Sequence, residues 1–197
     1  MDKTPHMSYN ATPDRRTQRT RQALSHALIS LIQEKRYETI TVHDICDRAN
    51  VGRSTFYAHY QDKADLLASN FQQVMESLGS GIEWRDERFV FPVAPIFRHV
   101  QEHYHLYKAL AWGRGFDELL RAGQKQWRAQ IEAHLATLLP EDRTLTVPLD
   151  VVTTYLAGGL QTMVLWWLDR KMPYPPERMD ELFQQLVMPG VNAVLSA

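Results

Sequence analysis

The stretch TVHDICDRANVGRSTFYAHYQDKADLL, Thr41 to Leu67, contains two short helical patterns on either side of a permissive turn. Thr41, with Asp44 three residues on, forms a relative of the capping box and opens a helix carrying Ile45, Cys46 and Ala49. Asn50, Val51 and Gly52 interrupt it, because Asn and Gly accept backbone angles that other residues avoid. The pattern resumes over Arg53 to Tyr60, with Phe56 and Tyr60 one turn apart. Two short helices held near a right angle need a small side chain where they cross and a turn residue tolerant of unusual angles. Cys46 and Asn50 supply these, and Ile45, Ala49, Val51 and Phe56 give a small core. The pattern predicts a helix-turn-helix. The first turn of its second helix would face a DNA major groove, where Arg53 can grip guanine O6 and N7 and Ser54 and Thr55 can reach bases or phosphate. Tyr57, His59 and Lys63 can hydrogen-bond backbone oxygens at the flanks. An isolated Arg-Ser-Thr is more often the polar face of a surface helix, and only the surrounding frame turns the reading toward nucleic acid.

Upstream, Leu24, Leu28, Leu31 and Ile32 form a core-facing stripe on a helix from Thr17 to near Arg36. Arg15, Arg16, Arg19 and Arg21 place four arginines in seven residues at its start. Residues 1–70 carry a net charge of +2 and the remainder −3, so attraction to phosphate is local to the N-terminal part. Residues 1–14, with two prolines and little apolar content, are expected to form a disordered tail. Downstream, Asp62 caps an amphipathic helix through Leu66, Leu67, Phe71, Val74, Met75 and Leu78. Residues 79–95 read as a loop. Arg88 to Val93 has the composition of a strand, but Pro92 and Pro95 punctuate it and no partner strand is evident. Helical patterns follow at 95–112, 115–139, 148–170 and 177–195. The expected fold is all-α, with a helix-turn-helix domain over 15–61 and a second helical domain over 62–197.

One cysteine, Cys46, excludes an intramolecular disulfide, and its setting is that of a small buried hydrophobe. The first thirty residues lack an apolar export signal. Val151 to Leu168 runs 18 residues without a charge, but Thr153, Thr154, Gln161 and Thr162 favour a helix buried in protein over a membrane span. No phosphate-binding glycine loop, HExxH, GxSxG or paired cysteine motif supports an enzyme. His99 and His103 are spaced i, i+4, but spacing places no third ligand, so neither a metal nor a cofactor is expected.

Thr41 to Leu67, with the preceding helix from Arg19 to Tyr37, resembles the N-terminal signature of TetR/AcrR regulators over about 50 residues. Phe56, Tyr57, His59 and Tyr60 followed by Lys63, Leu66 and Leu67 carry the likeness. Asn50 stands where Gly is common, and Gly52 where Ser is common. The resemblance implies DNA contact by Thr41, Arg53, Ser54, Thr55, Tyr57, His59 and Lys63, with Thr41 on phosphate and His43 added to the set. It further implies a cytoplasmic homodimer on palindromic double-stranded operator DNA, acting as a repressor released by a small-molecule effector. Its last two long helices would form a four-helix bundle with their mates. Ala157, Gly158 and Gly159 would allow close approach there. The middle helices would enclose the effector. Tyr104, Tyr107, Trp112, Phe116, Trp127, Tyr155, Met163 and Trp166 are bulky groups placed to line that cavity, although aromatic stripes are more often plain core. A DNA-binding regulator without an effector, or a small helical enzyme or carrier, are the alternatives.

Overall fold

The computed structural model describes residues 15–78, 82–86, 88–111, 113–138 and 145–195, so the tail expected over 1–14 lies outside the described residues. The first helix, α1 (Arg15–Glu34), buries Leu24, Leu28, Leu31 and Ile32, the stripe read from spacing. A 3-10 turn (Tyr37–Thr39) leads into α2 (Val42–Ala49) and α3 (Arg53–Tyr57). Next comes α4 (Lys63–Ser77), where one carboxylate oxygen of Asp62 accepts the Ala64 and Asp65 N–H groups at 2.8 and 2.9 Å. A hairpin, β1 (Glu83–Arg85) and β2 (Arg88–Val90), precedes α5 (Ala94–Glu102), α6 (Tyr104–Leu110), α7 (Arg114–Leu138), α8 (Leu149–Asp169), α9 (Pro176–Leu186) and α10 (Met188–Leu195).

The fold is all-α in class, as expected, but the hairpin corrects the loop expected over 79–95. The missing partner strand lies immediately upstream of Arg88, and Trp84 pairs with Phe89 across an antiparallel register. Asn192 on α10 completes the pairing: its Oδ1 accepts the Phe89 N–H at 2.7 Å, and its Nδ2 donates to the Phe89 carbonyl at 3.1 Å. A side-chain amide thus acts as a third strand, satisfying backbone groups that would otherwise lie buried and unpaired. Two of the four expected C-terminal helices are broken. The 177–195 pattern splits at Val187, since Pro189 in the first turn of α10 cannot donate the hydrogen bond that continuing α9 would require. The 95–112 pattern splits at His103, whose backbone (φ −110°, ψ 34°) leaves the helical region without a proline or glycine to force it.

α4 packs on α7, α7 on α8, and α5 on α9, while α1 rests against α2, α4 and α6. α8 is long and apolar enough to cross a membrane by length and composition. Its buried residues, Leu156, Leu160, Val164 and Trp167 among them, pack within the protein's own helices, and the Trp167 indole donates to the Tyr174 carbonyl at 2.8 Å.

Candidate nucleic-acid interface

Thr41 caps α2 with a reciprocal box: its Oγ1 accepts the Asp44 N–H at 3.1 Å, and Asp44 Oδ2 accepts the Thr41 N–H at 2.7 Å and its hydroxyl at 2.8 Å. Lys35, 2.9 Å from Asp44, is the main reason that carboxyl stays well below the usual carboxylate range, and the two Thr41 bonds add to it. Asn50 ends α2 in the left-handed region (φ 52°, ψ 48°), the role its residue type suggested. Ile45, Cys46 and Phe56 are buried at the crossing, and burial pushes the Cys46 thiol upward, consistent with a packing residue. Arg48 forks onto both Glu34 carboxylate oxygens at 2.8 and 2.6 Å and also donates to Ser30, tying α2 to α1.

With Phe56 fully buried, the rest of α3 has to face outward. Arg53, Ser54 and Thr55 are exposed, and Tyr57 keeps 56% of its surface. His59 is half-buried beside Tyr60, and His43 is exposed, 3.3 Å from Asp47. Arg15 and Arg16 lie at the positive end of the α1 dipole, whose first turn holds no acidic residue, and Arg21 sits 5.9 Å from the centre of the Tyr60 ring.

Lys63, expected on DNA phosphate, is engaged within the chain. Its ammonium donates to the carbonyls of Tyr37 (2.7 Å), Glu38 (3.0 Å) and Ile40 (2.7 Å) and sits 4.6 Å from the centre of the Tyr37 ring. All three donors are used within the chain. Lys63 therefore closes the 3-10 turn and holds the head to α4, and desolvation draws its pKa down.

The second candidate region lies between α4, α5, α6, α7 and α8. A small apolar cavity of about 40 Å³ is lined there by Tyr107, Phe116 and Trp127, three of the side chains expected. Phe71, Val100, Leu119, Leu160, Gln161 and Val164 also line it, with Ile96 and Leu120, and were not singled out from sequence, most of them being aliphatic residues indistinguishable from plain core. Tyr155 and Trp166, at 49% and 43% exposure, stand on the outer face of α8 and do not line this cavity; Trp166 stacks on Tyr174. Tyr104 is partly buried with its hydroxyl accepting from Lys108 at 2.8 Å, and Met163 packs at the edge of the core; neither lines the cavity. Trp112 lies outside the described residues. The indole N–H of Trp127 is buried without an acceptor among the described residues. An open cleft of about 500 Å³ shares Phe116 and Gln161 with the cavity and is rimmed by Arg36, Glu38, Arg114 and Asp117. Glu38 at this mouth accepts the Arg114 N–H at 2.8 Å, linking the 3-10 turn to the start of α7.

A two-helix reading head with an exposed polar face, mounted on a larger helical body, defines a helix-turn-helix DNA-binding protein. Residues 24–69 match the tetR family of bacterial regulatory proteins, and residues 93–189 match the transcriptional regulator C-terminal region. The chain belongs to the TetR family. It is 44% identical over 61 residues to an uncharacterized HTH-type transcriptional regulator, YxbF, of Bacillus subtilis (strain 168), a match spanning 30% of this chain and 16% of that relative's length. Among solved structures, a TetR transcriptional regulator from Streptococcus agalactiae 2603V superposes with a TM-score of 0.59 at 25% identity, over 89% of this chain and 97% of that one. Lin0861 from Listeria innocua gives 0.58 at 20% identity, over 91% and 94%.

Proposed function

We propose that the chain is a cytoplasmic, homodimeric repressor that binds a palindromic operator and is released by a small amphipathic effector. The observation that carries the DNA-binding part is the outward face of α3, fixed by buried Phe56, which presents Arg53 to a base edge and Ser54, Thr55 and Tyr57 to bases or phosphate. Thr41, His43 and His59 lie at the rim of that face, and residues 15–61 act as the head on a body beginning at residue 62. Two copies related by a two-fold axis would present two α3 helices to half-sites about one helical turn apart. The exposed apolar groups of α8 and the residues after it, Val151, Tyr155, Trp166, Tyr174 and Leu186, supply a surface for the second copy.

The effector reading rests on the apolar chamber behind a charged mouth. At about 40 Å³ the chamber is well below the roughly 300–1,000 Å³ of ordinary ligand sites, so binding requires the surrounding helices to part. That requirement favours control, since a ligand shifts an equilibrium only through its different affinity for two arrangements. Trp127 offers a donor to an acceptor on the ligand, and the mouth adjoins Glu38, on the turn that Lys63 holds. Thermal-shift screening followed by operator titration tests this. A stabilising effector is expected to lower operator affinity about 5- to 150-fold, with reciprocal weakening of its own binding by DNA. Hits that stabilise the protein but leave operator affinity unchanged would leave a DNA-binding regulator without an effector.

A further inference from the structure

We propose that His99, Glu102 and His103 form a binding site for a divalent transition metal of the zinc class, placed to control the junction between α5 and α6. One donor atom from each of the three residues lies within 4.8 Å of the others, and the His99 and His103 rings are 4.4 Å apart at their centroids. Tetrahedral zinc, with bonds of about 2.0–2.2 Å, needs donors roughly 3.3–3.5 Å apart. Side-chain rotation closes the difference, because Glu102 and His103 are exposed and free to turn, while half-buried His99 serves as the fixed ligand. Spacing alone placed two histidines on one helical face. The third ligand, Glu102, comes from the last turn of α5, three residues from His99 and beside the cap residue His103.

Two imidazoles and a carboxylate are the donor set of zinc-type sites with an open fourth position, and three ligands from five consecutive residues need little chain ordering to assemble. The location gives the metal leverage. His103 is the single residue between α5 and α6, and His99 makes an edge-on ring contact with Tyr107 of α6 at 5.7 Å. Tyr107 and Val100, the residue after His99, both line the apolar chamber, and α6 packs directly on α1 of the reading head. Fixing His103 to α5 would set the angle at which α6 meets α1. The control part of this proposal rests on the repressor reading, whereas the metal site itself does not.

The test uses the full chain without an affinity tag, stripped with a chelator and titrated with cobalt(II), then zinc. The expected result is one cobalt ion per chain with visible tetrahedral absorption that zinc displaces. His103→Ala and Glu102→Gln should each weaken cobalt binding at least tenfold, while His105→Ala, a neighbouring exposed histidine outside the cluster, should leave it unchanged. Circular dichroism confirms that the exposed substitutions keep the fold. Sub-stoichiometric binding, or binding that both cluster variants retain, overturns the site. Operator titration with and without zinc tests the control: a zinc-dependent affinity change present in the wild type and absent in His103→Ala supports it, and equal affinities overturn it. Failure to bind any operator, with or without metal, would refute the repressor reading instead, and the cobalt spectrum would still decide the site.

Discussion

Replacing Lys63 with Met is expected to cost about 1.5–3 kcal/mol of stability and to weaken DNA binding on every sequence alike. The ammonium holds three carbonyls of the 37–40 segment, so its removal leaves Tyr37, Glu38 and Ile40 oxygens without their donor, two of them in partly buried bonds. Methionine is one atom shorter but keeps the unbranched apolar stem, so the main loss is the donor. Urea denaturation measures the first effect and operator titration across a salt series the second. A lysine on phosphate contributes about one unit to the salt slope, whereas a lysine that positions the head contributes none. The expected outcome is a less stable protein with an unchanged slope. Full stability with a slope reduced by about one would restore Lys63 to the phosphate contacts.

Glutamate at Gly159 and at Gly158 should produce opposite failures, although the residues are adjacent. A Cβ on Gly159 would sit 2.9 Å from Cγ2 of buried Val187, so this glycine admits the chain's own α9–α10 junction rather than a partner helix. Gly159→Glu forces a charge and added volume into that contact and is expected to destabilise the monomer by about 3–5 kcal/mol. A Cβ on Gly158 meets nothing within 4 Å, and Gly158 lies one turn from exposed Tyr155. Gly158→Glu should therefore fold normally and sediment as a monomer at concentrations where the wild type is a dimer. Sedimentation velocity and thermal melting separate the two. A Gly158→Glu protein that remains a dimer of native affinity would move the interface away from this face of α8.

The head was legible in the sequence because its signals are local. A capping box, a left-handed Asn and one large buried aromatic define α2, the turn and α3 within twenty residues, and each is where the pattern put it. The role of Lys63 was not legible, since the carbonyls it binds lie 23 to 26 residues away and carry no side-chain signature. The hairpin was missed for a different reason: its strands are three residues each, too short to show an alternating pattern, and the Asn192 amide that completes the pairing is 103 residues from Phe89. In the body, an almost uniformly apolar α8 has no clear face in its sequence, so Tyr155 and Trp166 read as cavity residues as readily as surface ones. The two adjacent glycines, likewise, differ only in what packs against them.

Sequence-specific reading of DNA by α3 is decided by titrating wild type and Arg53→Ala against a duplex selected from a random library and against a random duplex, over a salt series. The wild type is expected to prefer the selected duplex by at least about 10³-fold, with affinity falling steeply as salt rises. Arg53→Ala, folded and stable because Arg53 is exposed, should lose about 1–3 kcal/mol on the selected duplex and relax the preference at one base position of each half-site. Equal wild-type affinity for both duplexes, or an Arg53→Ala protein with unaltered base preference, would contradict it.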